Sequence, residues 1–226
     1  MNVNNARKFI CTNDARRNRM RGASMVEIVV VLVIMAILTA MAIPQLMNSR
    51  KRYKPEEQAL KVMDLMRETS QLALTRRRTM RFEIDLTANQ ALIIDENLPG
   101  STDDRQIKAM PLSATNEVRI DQIPTGVTRP NPPNYNDAVF ATDTIGHLVG
   151  ATTVSGNNVW AVHFKSDGSV VNKAGNPISA NLYVWEPLSA GNAAPRKIDT
   201  VLAITMFGGS GAVRYWKHDG TTFKAN

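Results

Sequence analysis

Cysteine is almost missing from this chain of 226 residues. Cys11 is the only one, so no intramolecular disulfide can form and no pair of thiols is present for metal binding or thiol exchange. The rest of the chain must therefore be held together by packing and hydrogen bonds. Such a composition is compatible with an oxidising compartment without requiring one.

Histidine is also scarce. The chain has only three, which lie far apart in the sequence: His147, His163 and His218. None has a second histidine or a carboxylate at a metal-ligand spacing such as His-Glu-x-x-His. We therefore expect structural or solvent-facing histidines and no metal site. The acidic residues at 95–96 and 103–104 offer oxygen atoms for calcium, but their spacing fits no recognised calcium loop.

Catalytic motifs are absent from the sequence as well. The segment Gly209-Ser210-Gly211 lacks the full Gly-x-Ser-x-Gly pattern and its strand-to-helix context, so we expect a hairpin loop there. No glycine-rich loop that would bind a phosphate is found. The sequence therefore predicts neither an enzyme nor a bound cofactor.

Positive charge is concentrated at the start of the chain. The net charge is +7, and residues 1–22 hold six basic side chains against Asp14, which accounts for +5 of it. The remainder would carry only about +2. The overall charge is thus a property of the N-terminal segment and does not indicate a nucleic-acid-binding domain.

An apolar run follows this basic segment. From Met25 to Ile43 only Glu27 and Thr39 are not apolar, and Pro44 comes next. A helix of this length approaches the ~30 Å hydrocarbon core of a bilayer. A carboxylate inside such a helix costs roughly 2.5–3.5 kcal/mol at the bilayer centre, so Glu27 is expected to have a functional partner.

The order of these features resembles the N-terminal signature of type IV prepilins and type II secretion pseudopilins. A basic leader precedes Gly22, the small Ala23, Glu27 and the apolar helix. An ordinary secretory signal has its small-residue cleavage site after the apolar region, whereas here the small pair comes before it. The departures are Ala23, where the family usually has Phe, and a long leader, within which Met20 is a second candidate start.

The resemblance implies that a prepilin peptidase cuts after Gly22 and that Ala23 becomes N-methylated. It also implies that Glu27 meets the free amine of a neighbouring subunit during fibre assembly. The expected organisation is a leader over 1–22, a transmembrane and assembly helix over 23–53, and a periplasmic globular domain over 54–226. The expected location is the bacterial inner membrane with a single span, followed by a pilus or pseudopilus made with other pilins.

Periodicity predicts the rest of the fold. Two apolar stripes at helical spacing predict one amphipathic helix from about residue 55 to 78, with a break or a new start at Pro55 and a bend at Pro44. Residues 80–86 alternate apolar and charged side chains, which predicts a strand with one buried face. Further strands are expected at 91–95, 118–123 and 182–185, with hairpins over 159–171 and 198–216 and irregular structure over 124–137.

These elements predict an α+β fold in which a long N-terminal helix packs on a mainly antiparallel sheet, as in pilins. The order is also similar to that of H-type minor pseudopilins and FimT-like minor pilins. The residues that carry this looser similarity are the helix end at 72–77, the hairpin around Phe164 to Gly168 and the glycine turn near the C-terminus. The sequence leaves open whether the system is type II secretion or a type IV pilus.

One basic cluster lies outside the leader. It comprises Arg76, Arg77, Arg78 and Arg81, which either complement the dipole at a helix end or bind phosphates. Aromatic and basic residues also alternate near the C-terminus, from Arg214 to Lys217. FimT-like proteins include DNA receptors of natural transformation, so a DNA-binding minor pilin is the alternative function. Their Gly-Arg-x-Arg tail motif is not reproduced here.

Overall fold

The computed structural model describes residues 24–96 and 104–225, with the side chains of residues 44–52 left aside. The chain divides into two compact units between Gln45 and Leu46. One α-helix, one 3-10 turn and fourteen strands are described. They are α1 Met25–Arg76, β1 Thr79–Asp85, β2 Gln90–Glu96, β3 Arg105–Pro111, β4 Arg119–Asp121, β5 Asn136–Asp137, β6 Ala141–Thr142, β7 His147–Val149, β8 Thr152–Val154, β9 Asn158–Phe164, β10 Val170–Val171, β11 Ala180–Trp185, the turn Ile198–Thr200, β12 Leu202–Phe207, β13 Ala212–His218 and β14 Phe223–Ala225.

Helix α1 continues through Pro55 without a break, so the predicted interruption there is wrong. A proline inside a helix removes one backbone hydrogen bond and costs about 3 kcal/mol. Here Pro55 is itself buried, and the turns after it bury Ala59, Val62 and Met66 completely. Burial of a large apolar side chain contributes about 1.5–3 kcal/mol, so the continuous helix offsets the cost of the proline.

The larger sheet has the order β10-β9-β1-β2-β3-β7-β8, and β6 pairs with β9. Strand β1 lies between β2 and β9 and is antiparallel to both, with Phe82 opposite Ile93 on one side and Val162 on the other. All pairs in this sheet are antiparallel except the short contact of β3 with β7. The predicted pairing of residues 80–86 with 91–95 is confirmed.

The smaller sheet has the order β14-β13-β12-β11-β4, and β5 lies parallel to β11. Both predicted hairpins are confirmed, since β9 pairs with β10 and β12 pairs with β13. Residues 198–200 form a 3-10 turn instead of the expected start of a strand. The α+β class with mainly antiparallel strands is therefore confirmed.

The main hydrophobic core draws its side chains from three sources. Val62 and Met66 of α1, Phe82 and Phe164 of the larger sheet, and Ile204 of the smaller sheet belong to one cluster of buried residues. A second, smaller cluster forms on the other face of β11 and β12, around Tyr183, Trp185, Val201, Ala203 and Trp216. Both faces of the smaller sheet thus bury apolar side chains.

In the larger sheet, the burial of the charged face of β1 differs from its prediction. Strand β1 was expected to expose its charged face, yet Arg81, Glu83 and Asp85 are all at most 1% exposed. Alternation identifies the apolar face of a strand but does not tell what lies over the polar face. In this fold the segment of residues 143–157 contacts that face and removes it from solvent.

Candidate functional site

The N-terminal part of α1, Met25–Ile43, is long enough and apolar enough to cross a membrane as a helix. Its large apolar side chains are exposed, among them Leu32 at 62% and Leu38 at 60%. Thr39 is satisfied within the helix, because its hydroxyl donates to the Met35 carbonyl at 2.6 Å. The apolar surface of this unit is thus available to lipid or to other helices.

Glu27 lies in the first turn of α1 and is exposed. Within the described part of the chain it makes no hydrogen bond or ion pair, so any partner for its carboxylate must come from elsewhere. An acidic side chain in the first helical turn is also favoured by the helix dipole. Gly22 and Ala23, the predicted processing and methylation positions, lie outside the described residues.

The arginines at the end of α1 form a helix cap. Arg77 adopts a left-handed backbone conformation with φ of 53°, and the Arg78 amide donates to the Ala73 carbonyl at 3.3 Å. This 6→1 bond is the Schellman arrangement, in which glycine is the usual residue at the left-handed position. The Arg76 guanidinium lies 3.4 Å from the Asp95 carboxylate. The cap gives the cluster a structural role.

Arg77 and Arg78 are exposed and have no carboxylate partner among the described residues. They line an open groove with Thr79, Glu96 and Ser166. These two side chains are the part of the cluster that remains available to an anion. The groove also contains a carboxylate, which opposes phosphate binding.

Arg81 is not part of that surface. Its side chain is fully buried and its Nη2 donates to the Gly146 carbonyl at 2.6 Å. The predicted C-terminal alternation is also divided by the fold, because Tyr215 and Trp216 are buried while the cations on either side of them, Arg214 and Lys217, are exposed. The Trp216 indole donates to the Thr205 hydroxyl at 2.9 Å. These two aromatic rings are therefore not available for base stacking.

The polar face of β1 is the largest cluster of buried ionisable groups in the described residues. Arg81 Nε lies 3.6 Å from Glu83 Oε2, and Arg81 Nη1 lies 3.6 Å from Asp104 Oδ2. Asp85 accepts hydrogen bonds from the amides of residues 87 and 88 and, at 2.6 Å, from the Asn157 amide group. One guanidinium is thus buried among several carboxylates.

The segment over this face is shaped by a tight turn. Asp143 Oδ1 accepts from the Ile145 amide at 2.8 Å, and its Oδ2 accepts from the Gly146 amide at 2.9 Å. Gly146 has φ of +74°, and a Cβ on it would lie 2.9 Å from the Val154 carbonyl oxygen. Only glycine fits this position without strain. The turn brings His147 against Glu83, with Nδ1 3.9 Å from Oε1.

Burial governs the ionisation of this pair. Desolvation raises the pKa of Glu83 to about 7, and the Arg81 charge only partly offsets it. Desolvation, assisted by Arg81, lowers the pKa of His147 below its usual value. His147 is therefore neutral near pH 7, which is the form that binds metal ions.

His163 was expected to be structural or to face solvent, and the structure excludes solvent exposure. The side chain is 1% exposed, and its Nδ1 lies 2.6 Å from Glu96 Oε2. It stands beside Arg81 in the register of β1 and β9. His163 thus forms a buried pair at the edge of the polar face.

Sequence reasoning missed the group formed by Glu83, Asp143 and His147. One potential ligand atom from each lies within 4.8 Å of the others. Their sequence separations match no metal motif, because Glu83 is on β1 while the other two belong to a distant turn. The only sign of this group in the sequence was the number of charged residues in β1, a strand whose other residues are mostly apolar.

Comparisons of the chain with protein-family models, with curated proteins and with solved structures each found no match. The functional assignment accordingly depends on the residues of the chain itself.

Proposed function

We propose that this protein is a minor pilin or pseudopilin, a structural and assembly subunit of a type II secretion pseudopilus or a type IV pilus. The observation that carries the proposal is Glu27, a carboxylate with no partner among the described residues, in the first turn of the exposed apolar helix Met25–Ile43. The helix follows directly on the Gly22-Ala23 junction. The α+β fold is compatible with a pilin-like globular domain whose N-terminal helix packs on its sheet.

In the proposed mechanism, a prepilin peptidase removes residues 1–22 and the new amine at Ala23 is methylated. The apolar helix holds the subunit in the inner membrane with the globular domain in the periplasm. During assembly Glu27 pairs with the terminal amine of a neighbouring subunit. Pairing compensates the desolvation of both charges, so a correctly aligned neighbour is favoured over a misaligned one.

The processing step tests the proposal. The full chain is expressed in bacterial cells with and without an active prepilin peptidase, and the N-terminal peptide of the membrane fraction is identified by mass spectrometry. We expect methylated Ala23 as the first residue only when the peptidase is present. Gly22→Leu should stay uncleaved, and Ser24→Ala, which leaves the junction intact, should be cleaved like the wild type.

Retention of the uncleaved N-terminus beside an active peptidase, or a cut beyond Ile43, would contradict the assignment. The second result would instead indicate an ordinary secretory signal, because the apolar helix would then be lost from the mature chain.

A DNA-binding minor pilin is the second candidate function. It is favoured by the exposure of Arg77 and Arg78 without a carboxylate partner among the described residues. It is opposed by the burial of Arg81 and of the aromatic rings Tyr215 and Trp216. The role of a structural subunit therefore explains more features of the chain than the role of a DNA receptor does.

A further inference from the structure

We propose that Glu83, Asp143 and His147 bind one divalent metal ion of the Zn²⁺ type. The ligand atoms of the three residues lie within 4.8 Å of one another. A tetrahedral zinc ion, with bonds of about 2.0–2.2 Å, holds its ligands about 3.3 Å apart. The ligand atoms would therefore move closer together on binding, and in the described part of the chain Glu83 and His147 are the ligands whose side chains no hydrogen bond holds.

The group contains buried polar atoms that have no hydrogen-bond partner among the described residues. Glu83 and His147 are each 1% exposed, and in the described part of the chain neither oxygen of Glu83 and neither ring nitrogen of His147 has a hydrogen-bond partner. A buried polar group without a partner costs roughly 1–3 kcal/mol, and more when it is charged. A bound cation would satisfy one oxygen of Glu83 and one nitrogen of His147 together.

Asp143 is already oriented for this role. Both of its oxygens accept backbone amides from the turn at residues 145–146, which fixes the carboxylate, and each oxygen retains a second lone pair. Supporting hydrogen bonds of this kind orient metal ligands and are a regular part of metal sites. Gly146 holds the turn, and its carbonyl oxygen accepts a hydrogen bond from Arg81 Nη2. Arg81 Nε lies 3.6 Å from Glu83 Oε2, so the ion would bind the other oxygen, Oε1, which faces His147 Nδ1 at 3.9 Å.

The charge of the surroundings also favours a cation. Asp85 and Asp143 both act electrostatically on Glu83, and Asp104 lies beside Arg81. The acidic groups of Glu83, Asp85 and Asp143 therefore lie around one buried guanidinium, that of Arg81. Buried charges are normally paired or bound to metals, and a divalent ion would reduce the imbalance without adding a side chain.

The ligand types select the metal. One imidazole with two carboxylates suits Zn²⁺ and neighbouring transition ions, whereas Ca²⁺ and Mg²⁺ prefer six or more oxygen ligands. Three protein ligands leave a coordination position for water. The alternative is that Glu83 takes only a proton and no metal ion. Metal addition distinguishes the two, because a metal-binding site releases that proton and responds to the ion, whereas a site that takes only a proton does not.

The test uses the full chain in detergent micelles, without a histidine tag and with Cys11→Ser to remove the only thiol. After chelator treatment, Zn²⁺ binding is measured by titration calorimetry and by the shift of the thermal midpoint, and Co²⁺ binding by visible absorption. We expect one Zn²⁺ per chain, a raised midpoint and absorption bands of a nitrogen-oxygen site. Glu83→Gln, Asp143→Asn and His147→Gln should each weaken Zn²⁺ binding at least about tenfold, since even the loss of a residue that only supports a ligand costs 10–100-fold.

His218→Asn is the matched control. His218 is also buried, but it lies on β13, and its Nδ1 accepts the Gly220 amide, which an asparagine oxygen can replace. This variant should bind Zn²⁺ like the parent. Glu83→Gln should also be no less stable than the parent without metal, because it removes a buried charge and keeps the shape.

A parent chain that binds no Zn²⁺ or Co²⁺ while folded would overturn the proposal, as would ligand variants that bind like the parent. Binding of Ca²⁺ with no Zn²⁺ response would overturn the assigned metal class. Where a variant loses its fold, the Co²⁺ spectrum and metal content of the parent decide the matter.

Discussion

Glu27 is a single charged residue in an otherwise apolar helical segment. It is one of only two non-apolar residues between Met25 and Ile43, and the other, Thr39, bonds to its own helix. Glu27 makes no comparable hydrogen bond to the described residues. Its cost in a membrane is roughly 2.5–3.5 kcal/mol at the centre and less near the surface, and a positive charge from outside the described residues would offset it.

We therefore predict that Glu27→Leu inserts into the membrane and is processed at Gly22 as efficiently as the wild type or more so. Its recovery in sheared fibres, or in crosslinks to other pilins, should fall strongly because the partner amine is left unpaired. Thr39→Leu is the matched control, since it adds similar apolar surface and leaves the carboxylate in place. Incorporation of the Glu27→Leu variant at the wild-type level would show that Glu27 has no assembly role.

At the scale of elements, the sequence predicted what depends on local pattern. The alternation in β1, the hairpin turns and the apolar stripes of α1 each appear in the structure close to their expected residues. Strand β3 was missed, because Arg105–Pro111 has mostly exposed side chains and little alternation to signal it. A strand that forms mainly because of its neighbouring strands produces only a weak pattern in its own sequence.

The polar face of β1 was not predictable for a related reason. Its burial depends on Asp143, Gly146 and His147, which come from a turn about 60 residues further along the chain. Likewise, Pro55 was expected to interrupt α1 because a local rule disfavours proline in helices. Burial of Pro55 and of the turns after it decides otherwise. The candidate metal site could therefore be recognised only from contacts in the folded chain.

The helix end carries its own prediction. Replacing Arg76, Arg77 and Arg78 with Ala should reduce any binding to duplex DNA and flatten its dependence on salt. The slope of log K against log salt should fall by about 2, because each phosphate contact contributes about 0.9 and two of the three arginines are without a carboxylate partner among the described residues. Gel shifts over a range of salt concentrations measure both quantities.

A control of equal charge is available. Arg119, Arg129 and Arg196 each pair with a carboxylate in the structure, so their joint replacement removes three positive charges from outside the cluster. DNA binding should be less affected in that variant. A wild-type chain with no DNA binding at low salt would leave the cluster with its helix-capping role alone.

At the scale of the whole molecule, the apolar helical segment Met25–Ile43 and the hydrophobic core belong to different units of the chain. The described residues that join the main core begin at Ala59, and Pro55 just before it is also buried. Lys54 lies 2.5 Å from Glu117, which ties the start of this region to the β-rich part. A chain that begins at Lys54 keeps all of these contacts.

We predict that residues 54–226 form a soluble domain with a cooperative thermal transition and a strand-rich circular dichroism spectrum. A fragment of residues 67–226 is the matched control, because it lacks Val62, Leu65 and Met66, all at most 3% exposed. Loss of each large side chain from a core costs about 2–5 kcal/mol, against a total stability of only about 5–15 kcal/mol. The shorter fragment should therefore aggregate or remain unfolded, and aggregation of the longer one would contradict the domain boundary.

The position of β1 in the middle of its sheet also sets the order in which the chain can fold. Its hairpin partner β2 follows almost at once, but its other partner, β9, begins only at Asn158. Until that segment has been synthesised, one edge of β1 displays unpaired backbone groups that are able to pair with another chain. The time for which this edge stays exposed is determined by the rate of translation, since local folding of the hairpin cannot cover it.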